Sequence, residues 1–292
     1  MGNNNYQHVK RILWQILFAN LLVAAVKIFL GYTIRSTSLT ADGFHSLTDG
    51  LSNVVGLIGI AVASAPVDSK HPYGHQKFEF ITSLFLGGML IAMAGRISIE
   101  AVGKIISPTT PVFAPEFLLL LVATLIINVI VCLYENREGK RLDSFILIAD
   151  SLHTKSDIFV SLGVLATLIG IKLGVPPIID PLASLVVCGF IIHSGLNIIL
   201  STAGVLVDRA AIDHDLIKNL AMTFPQVINV HEIRSRGTGS GMFVDMHIIV
   251  APEMTIREAH NLVHEIEVKL RAEISPNLQT IIHTEPDTRE RG

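Results

Sequence analysis

Ala41-Asp42-Gly43-Phe44-His45-Ser46-Leu47-Thr48-Asp49 is echoed later in the chain by Ala149-Asp150-Ser151-Leu152-His153-Thr154-Lys155-Ser156-Asp157. Both read Ala-Asp-x-x-His-x-x-x-Asp, and both are embedded in long apolar runs. Residues four apart share a helix face. Each copy therefore sets an imidazole one turn from a carboxylate. Ionisable side chains inside a bilayer cost about 2.5–3.5 kcal/mol each on insertion scales. Such residues persist where they bind something or face water. Two copies on two facing helices offer two imidazoles and two carboxylates to one point, a four-coordinate set that suits tetrahedral Zn2+. His45, Asp49, His153 and Asp157 are the expected ligands of that metal ion. Asp42 and Asp150, three residues before each histidine, either orient the imidazole or cap a helix start at the membrane edge. Lys155 is expected to point away from the site.

Outward from these motifs, the chain reads as a membrane protein. Its 292 residues are 50% hydrophobic and only 16% charged, against about 25% charged in soluble domains. The mean hydropathy is +0.55. The apolar residues gather into six runs long enough to cross about 30 Å of hydrocarbon. They lie roughly at 12–32, 39–63, 80–106, 117–134, 144–173 and 178–207. Lys10, Arg11, Lys70, Lys77, Arg137, Lys140 and Arg141 flank one side, and Arg35, Lys104 and Lys172 the other. The positive-inside rule then makes both termini cytoplasmic, in a multi-pass protein of the lipid bilayer, expected in a bacterial inner membrane. Cys132 and Cys188 fall inside apolar runs and read as buried thiols. A net charge of −3 gives no argument for nucleic acid.

Polar composition returns after Asp208-Arg209. The expected division is 1–208 transmembrane and 209–292 cytoplasmic. Helical spacing over 212–224 precedes strands at 230–236 and 242–250. A Thr255/Glu258 capping box opens a helix to about Glu273, and a strand follows at 278–283. The αββαβ order predicts a small α+β domain. His231, His247, His260, His264 and His283 crowd into it, with Glu285 beside the last. They read either as a shared metal cluster or as scattered surface histidines. Asp68, His71 and His75, in the loop between the second and third runs, form a third set of possible ligands. Lys77 and Glu79 are placed to pair. Asn20, Lys27, Asn53 and Asn128 read as inter-helix partners or cavity lining, and His193 as a satisfied interior histidine.

The paired His-x-x-x-Asp motifs, His71-Pro72-Tyr73-Gly74-His75, Asp208-Arg209-Ala210 and His283 together resemble the cation diffusion facilitator family of metal/proton antiporters. The chain looks closest to bacterial members of the ferrous-iron and zinc efflux type. The resemblance covers essentially the whole chain and implies a homodimer. It implies a six-helix all-α transmembrane bundle followed by a ferredoxin-like cytoplasmic domain. It assigns His45, Asp49, His153 and Asp157 to transport, and Asp68, His71 and His75 to a loop site. His231, His247, His260, His283 and Glu285 fall to a cytoplasmic metal site, so Zn2+ is both cargo and a structural or regulatory ion. Lys77 and Asp208 correspond to a salt bridge between protomers. One departure stands out: well-studied bacterial relatives carry Asp where this chain has His45, the form typical of vesicular zinc transporters. Imidazole favours Zn2+ over harder ions; Fe2+, Cd2+ and Mn2+ are the alternative substrates. The expected mechanism is alternating access with proton antiport. The rival readings are a membrane-anchored metal sensor and an intramembrane zinc hydrolase. The second lacks its His-Glu-x-x-His helix, since His264-Glu265-Ile266-Glu267-Val268 has no second histidine.

Overall fold

Apolar runs with this spacing can satisfy their backbone in lipid only as helices, and the computed structural model has six. It describes residues 3–33, 37–107, 115–176, 178–238 and 241–288. The helices are α1 (Asn3–Thr33), α2 (Thr37–Ala63), α3 (Lys77–Ile106), α4 (Pro115–Leu142), α5 (Phe145–Lys172) and α6 (Ile179–Leu206). Among the described residues, α1, α3, α4 and α6 are long and apolar enough to cross a membrane by length and composition. α2 and α5 have the length, 27 and 28 residues, or about 40 Å at 1.5 Å per residue. Their polar residues dilute the apolar signal: α5 carries Asp150, Lys155 and Asp157 in its first half.

Helix α4 runs to Leu142, well past the expected end at Tyr134. Its polar tail does not leave the protein. Glu135 is fully buried, and Glu138 pairs with Arg141 at 2.5 Å. The turn into α5 is tight, with Asp143 in the left-handed region at φ 51°. A Cβ at Gly139 would come within 3.1 Å of the Ile148 amide nitrogen. Across this corner lies Glu79 of α3. It accepts from Ser144 Oγ at 2.8 Å and from the amides of Phe145 and Ile146. The carboxylate thus captures open N–H groups at the start of α5.

Residues Asn3–Ala203 form one compact unit and Gly204–Gly292 a second. The second contains α7 (His214–Ala221), β1 (Asn229–Thr238), β2 (Gly241–Val250), α8 (Ile256–Glu273) and β3 (Leu278–Pro286). Thr255 and Glu258 form the expected capping box at the start of α8. The sheet has the order β1-β2-β3, antiparallel between β1 and β2 and parallel between β2 and β3. Among the described residues this is the ferredoxin-like βαββαβ unit without its first strand. Alternation along β2 buries Val244, Met246, Ile248 and Val250 against Ile217 of α7 and Leu262, Ile266 and Leu270 of α8. Both helices therefore cover one sheet face, and side chains of odd number on β2 occupy the other.

Candidate functional site

Inside the helical unit, a cavity of about 130 Å3 opens among α1 to α5. Liquid water occupies about 30 Å3 per molecule, so the space holds a few waters or an ion with part of its hydration shell. His153 and Asp157 of α5 line it, facing Lys27 of α1, Ser46 and Ser52 of α2 and Asn128 of α4. Lys155 is exposed and turned away, with its ammonium 5.7 Å from the Phe159 ring. The side chains of Asp42, His45 and Asp49 lie outside the described residues. Their positions are nevertheless fixed along helix α2, where position 49 precedes the cavity-lining Ser52 by one turn and 45 precedes 49 by another.

A buried polar network adjoins the cavity. Asp150 accepts from Ser52 Oγ at 3.0 Å and from Asn53 Nδ2, and Asn53 Oδ1 accepts from Asn20 Nδ2 at 2.8 Å. Asp150 therefore ties α5 to α2 from the second turn of its helix, and the helix-start cap does not apply. Lys27, only 7% exposed, donates to Ser46 Oγ at 2.8 Å. Asn20 and Asn53 do make the inter-helix bond expected of them. His193 is on an exposed face, 3.0 Å from Asn197, rather than in the interior. Sequence reading passed over Glu135, which accepts from Thr154 Oγ1 at 3.0 Å. A signal existed: Thr124, Asn128, Cys132 and Glu135 continue one polar stripe of α4 at helical spacing.

The loop before α3 gathers Asp68, His71 and His75, whose ligand atoms lie within 4.8 Å of one another. Asp68 Oδ1 accepts from the amides of Lys70 and His71 at 2.8 and 2.6 Å and lies 3.2 Å from His71 Nδ1. Its Oδ2 is 3.6 Å from His75 Nε2. Gly74, at φ +86°, permits the reversal that lays the two rings 4.2 Å apart. The His71 amide, foremost, holds the Asp68 carboxyl below the usual carboxylate range. His75 Nδ1 is buried and has no hydrogen-bond partner, as a ligand nitrogen awaiting a cation would be.

On the open face of the sheet, register makes a row. His231 pairs with His247 and His247 with His283, one histidine from each strand. Glu285, two residues along β3, points the same way. Its carboxylate lies 2.9 Å from His247 Nδ1 and 3.4 Å from His231 Nε2. His231, His247 and Glu285 form a compact donor set. His283 stands at its rim, 3.8 Å from Glu285. A bulge after His231 puts Glu232 in the left-handed region, where its carboxylate lies 3.9 Å from His247. Two imidazoles and a carboxylate fit a borderline divalent ion, and His231 Nδ1 is buried without a hydrogen-bond partner. His260, on α8, stands outside this compact set, stacked edge-on against His264 with ring centroids 4.5 Å apart, though it lines a cleft together with Glu285. Asp208, at φ 57°, lies 3.5 Å from Arg236 of its own chain; Lys77 opens α3.

Known proteins share this architecture. Residues 13–207 match the family described as the cation efflux transmembrane domain. Residues 210–287 match that described as the cation efflux protein cytoplasmic domain. An uncharacterized transporter of Methanocaldococcus jannaschii is 32% identical over 94% of this chain and 96% of its own length. Manganese efflux system protein MneP of Bacillus subtilis is 28% identical over 98% and 99%. A solved structure of CzrB is 26% identical, covering 26% of this chain and 99% of that one, with a TM-score of 0.24.

Proposed function

We propose a function from one firm premise: the chain belongs to the cation diffusion facilitator family, whose members are membrane metal-efflux transporters and not enzymes. It is a multi-pass membrane protein for divalent metal efflux. Within that class, we read Zn2+ as the main cargo, bound by His45, Asp49, His153 and Asp157. The single observation behind this is the cavity among the helices that His153 and Asp157 line together with Ser46 and Ser52 of α2. Two imidazoles in the set favour Zn2+ over harder cations.

The coupling ion is the proton. Metal binds only deprotonated imidazole and carboxylate, so loading the site releases protons. An unperturbed imidazole titrates near pH 6.5, so a more acidic outer compartment discharges the metal. The bundle alternates between inward- and outward-open forms, and a ligand shifts them only by its differential affinity. Both termini face the cytoplasm by the positive-inside pattern. The protein works as a homodimer, a reading supported by the match to the cytoplasmic domain of cation efflux proteins, and Lys77 and Asp208 lock the protomers. Asp68, His71 and His75 take a second ion. The cytoplasmic domain, from about residue 209, takes a regulatory one through His231, His247, His283 and Glu285, with His260 on a separate element.

Zn2+ flux into proteoliposomes under an imposed pH gradient tests this. Wild type should accumulate Zn2+, and Asp157→Ala should not. Transport by the Asp49→Ala/Asp157→Ala double variant at the wild-type rate would end the reading. A second cargo has a specific observation behind it, since MneP is named for manganese efflux. Equal or faster Mn2+ flux in the same vesicles would give that cargo precedence.

A further inference from the structure

A lysine lines the cavity of the helical unit, an odd neighbour for a site that takes up metal. Lys27 of α1 is only 7% exposed, and it shares the cavity wall with His153 and Asp157 of α5. Its Nζ donates to Ser46 Oγ at 2.8 Å. Ser46 stands next to position 45 of α2 and one turn before position 49. The ammonium is therefore anchored where the metal ligands are expected. A hydroxyl does not neutralise a charge, and a charge withdrawn from water needs an opposite one close by. Among the described residues lining the cavity, the carboxylates are Asp150 and Asp157. Asp150 is already engaged on both oxygens, by Ser52 on one and Asn53 on the other. Asp157 is the counter-charge that the cavity presents to Lys27. Joining α1 to α2 does not account for a lysine here, because neutral side chains suffice: Asn20 and Asn53 make such a bond.

We propose that Lys27 is a tethered counter-cation: its ammonium takes the metal's place beside Asp157 when the cavity empties and yields when metal enters. This rests on the reading of Asp157 as a transport ligand. The ammonium is a compact point charge on a flexible four-carbon stem. Rotation about that stem carries the charge between the Ser46 hydroxyl and the carboxylate. Competition from Lys27 weakens metal binding and so favours release. Its pairing with Asp157 also spares the emptied carrier an uncompensated carboxylate inside the bundle, which is costly within a membrane. The cation stays attached to the protein and is not itself transported.

Lys27→Met keeps most of the stem and removes the charge. In the Zn2+ proteoliposome assay it should lower KM about tenfold, the ratio that 1.4 kcal/mol represents. It should lower kcat as well, the pattern of a group that opposes the bound ground state. A raised or unchanged KM, as for a purely structural lysine, would overturn the proposal, and so would a lowered KM with wild-type kcat. Melting temperatures of chelator-treated protein in detergent supply a second measurement. Lys27→Met, Asp157→Asn and the double variant form a cycle. If ammonium and carboxylate balance one another, the double variant should lose less than the two single losses combined; additivity would overturn the proposal. Should wild type carry no Zn2+, the transport reading fails by itself, and the metal-free cycle still decides whether Lys27 serves Asp157. Should Lys27→Met not fold, Lys27→Gln, which retains a donor for Ser46, takes its place in both measurements with the same expectations.

Discussion

His247 and His283 are direct register partners on β2 and β3, with ring centroids 4.8 Å apart. Parallel pairing in this register is what brings Glu285 level with Ile249 and within reach of His247. A one-residue slip would turn His283 and Glu285 into the core face. The cytoplasmic donor set is thus built by strand register, and the core packed on the opposite face enforces it.

A ligand that binds only the folded state stabilises it by about 2.7 kcal/mol at a hundred times its Kd. Zn2+ should therefore raise the melting temperature of the purified protein's cytoplasmic transition. His247→Ala, which removes the imidazole shared between both neighbours, should cut most of that rise. An undiminished rise would show the metal to be bound elsewhere.

Asp68 predicts a pH dependence with a definite sign. Its carboxyl is held below the usual range, first by the His71 amide. A depressed folded-state pKa adds stability that is present above the unfolded pKa and lost as pH falls through the folded one. The loop should therefore stay ordered through the ordinary carboxylate range and loosen only in stronger acid. Amide exchange of Lys70 and His71 reports this directly. Asp68→Ala, which removes the acceptor, should unprotect both amides at all pH values, and protection unchanged by that substitution would contradict the account.

Thr255→Ala removes one half of the capping box on α8. Loss of an N-cap costs about 1 kcal/mol, or roughly 4–8 °C in a domain of 60–100 residues. The shift should appear in the melting of the cytoplasmic transition while Zn2+ transport persists. The Glu258 carboxyl is held low by the Thr255 amide and hydroxyl. The wild-type advantage over Thr255→Ala should accordingly fade in acid, and a gap that widens there would be the wrong sign.

How far the sequence reaches depends on how local the signal is. The capping box, the β1–β2 hairpin and six apolar runs are written within a few residues and were legible. The His231–His247–His283 row was legible as candidates but not as a row, because register is set by the distant packing of Met246 and Ile248. The burial of Glu135 and Glu79 was not legible, for one physical reason. A carboxylate near the end of an apolar run looks like an exit into water, and only the facing helix shows it buried. His260 falls with the other histidines by proximity in sequence, yet α8 lies on the covered face of the sheet.

Helices α2 and α3 meet where Gly59 faces Thr82. A Cβ at Gly59 would overlap the Thr82 side chain, whose Cβ lies 2.7 Å away. Thr82 cannot easily swing clear, because its hydroxyl donates to Phe78 O at 2.8 Å within its own helix. Gly59→Ala must therefore push the helices apart, at the 1–3 kcal/mol typical of overpacking, roughly. Thermal unfolding in detergent should show that loss. If steric overlap is the cause, Thr82→Ala should recover part of it, because the two sites are coupled and their effects are not additive. Strict additivity in the double variant would assign the loss to the backbone of α2 instead of the α2–α3 contact.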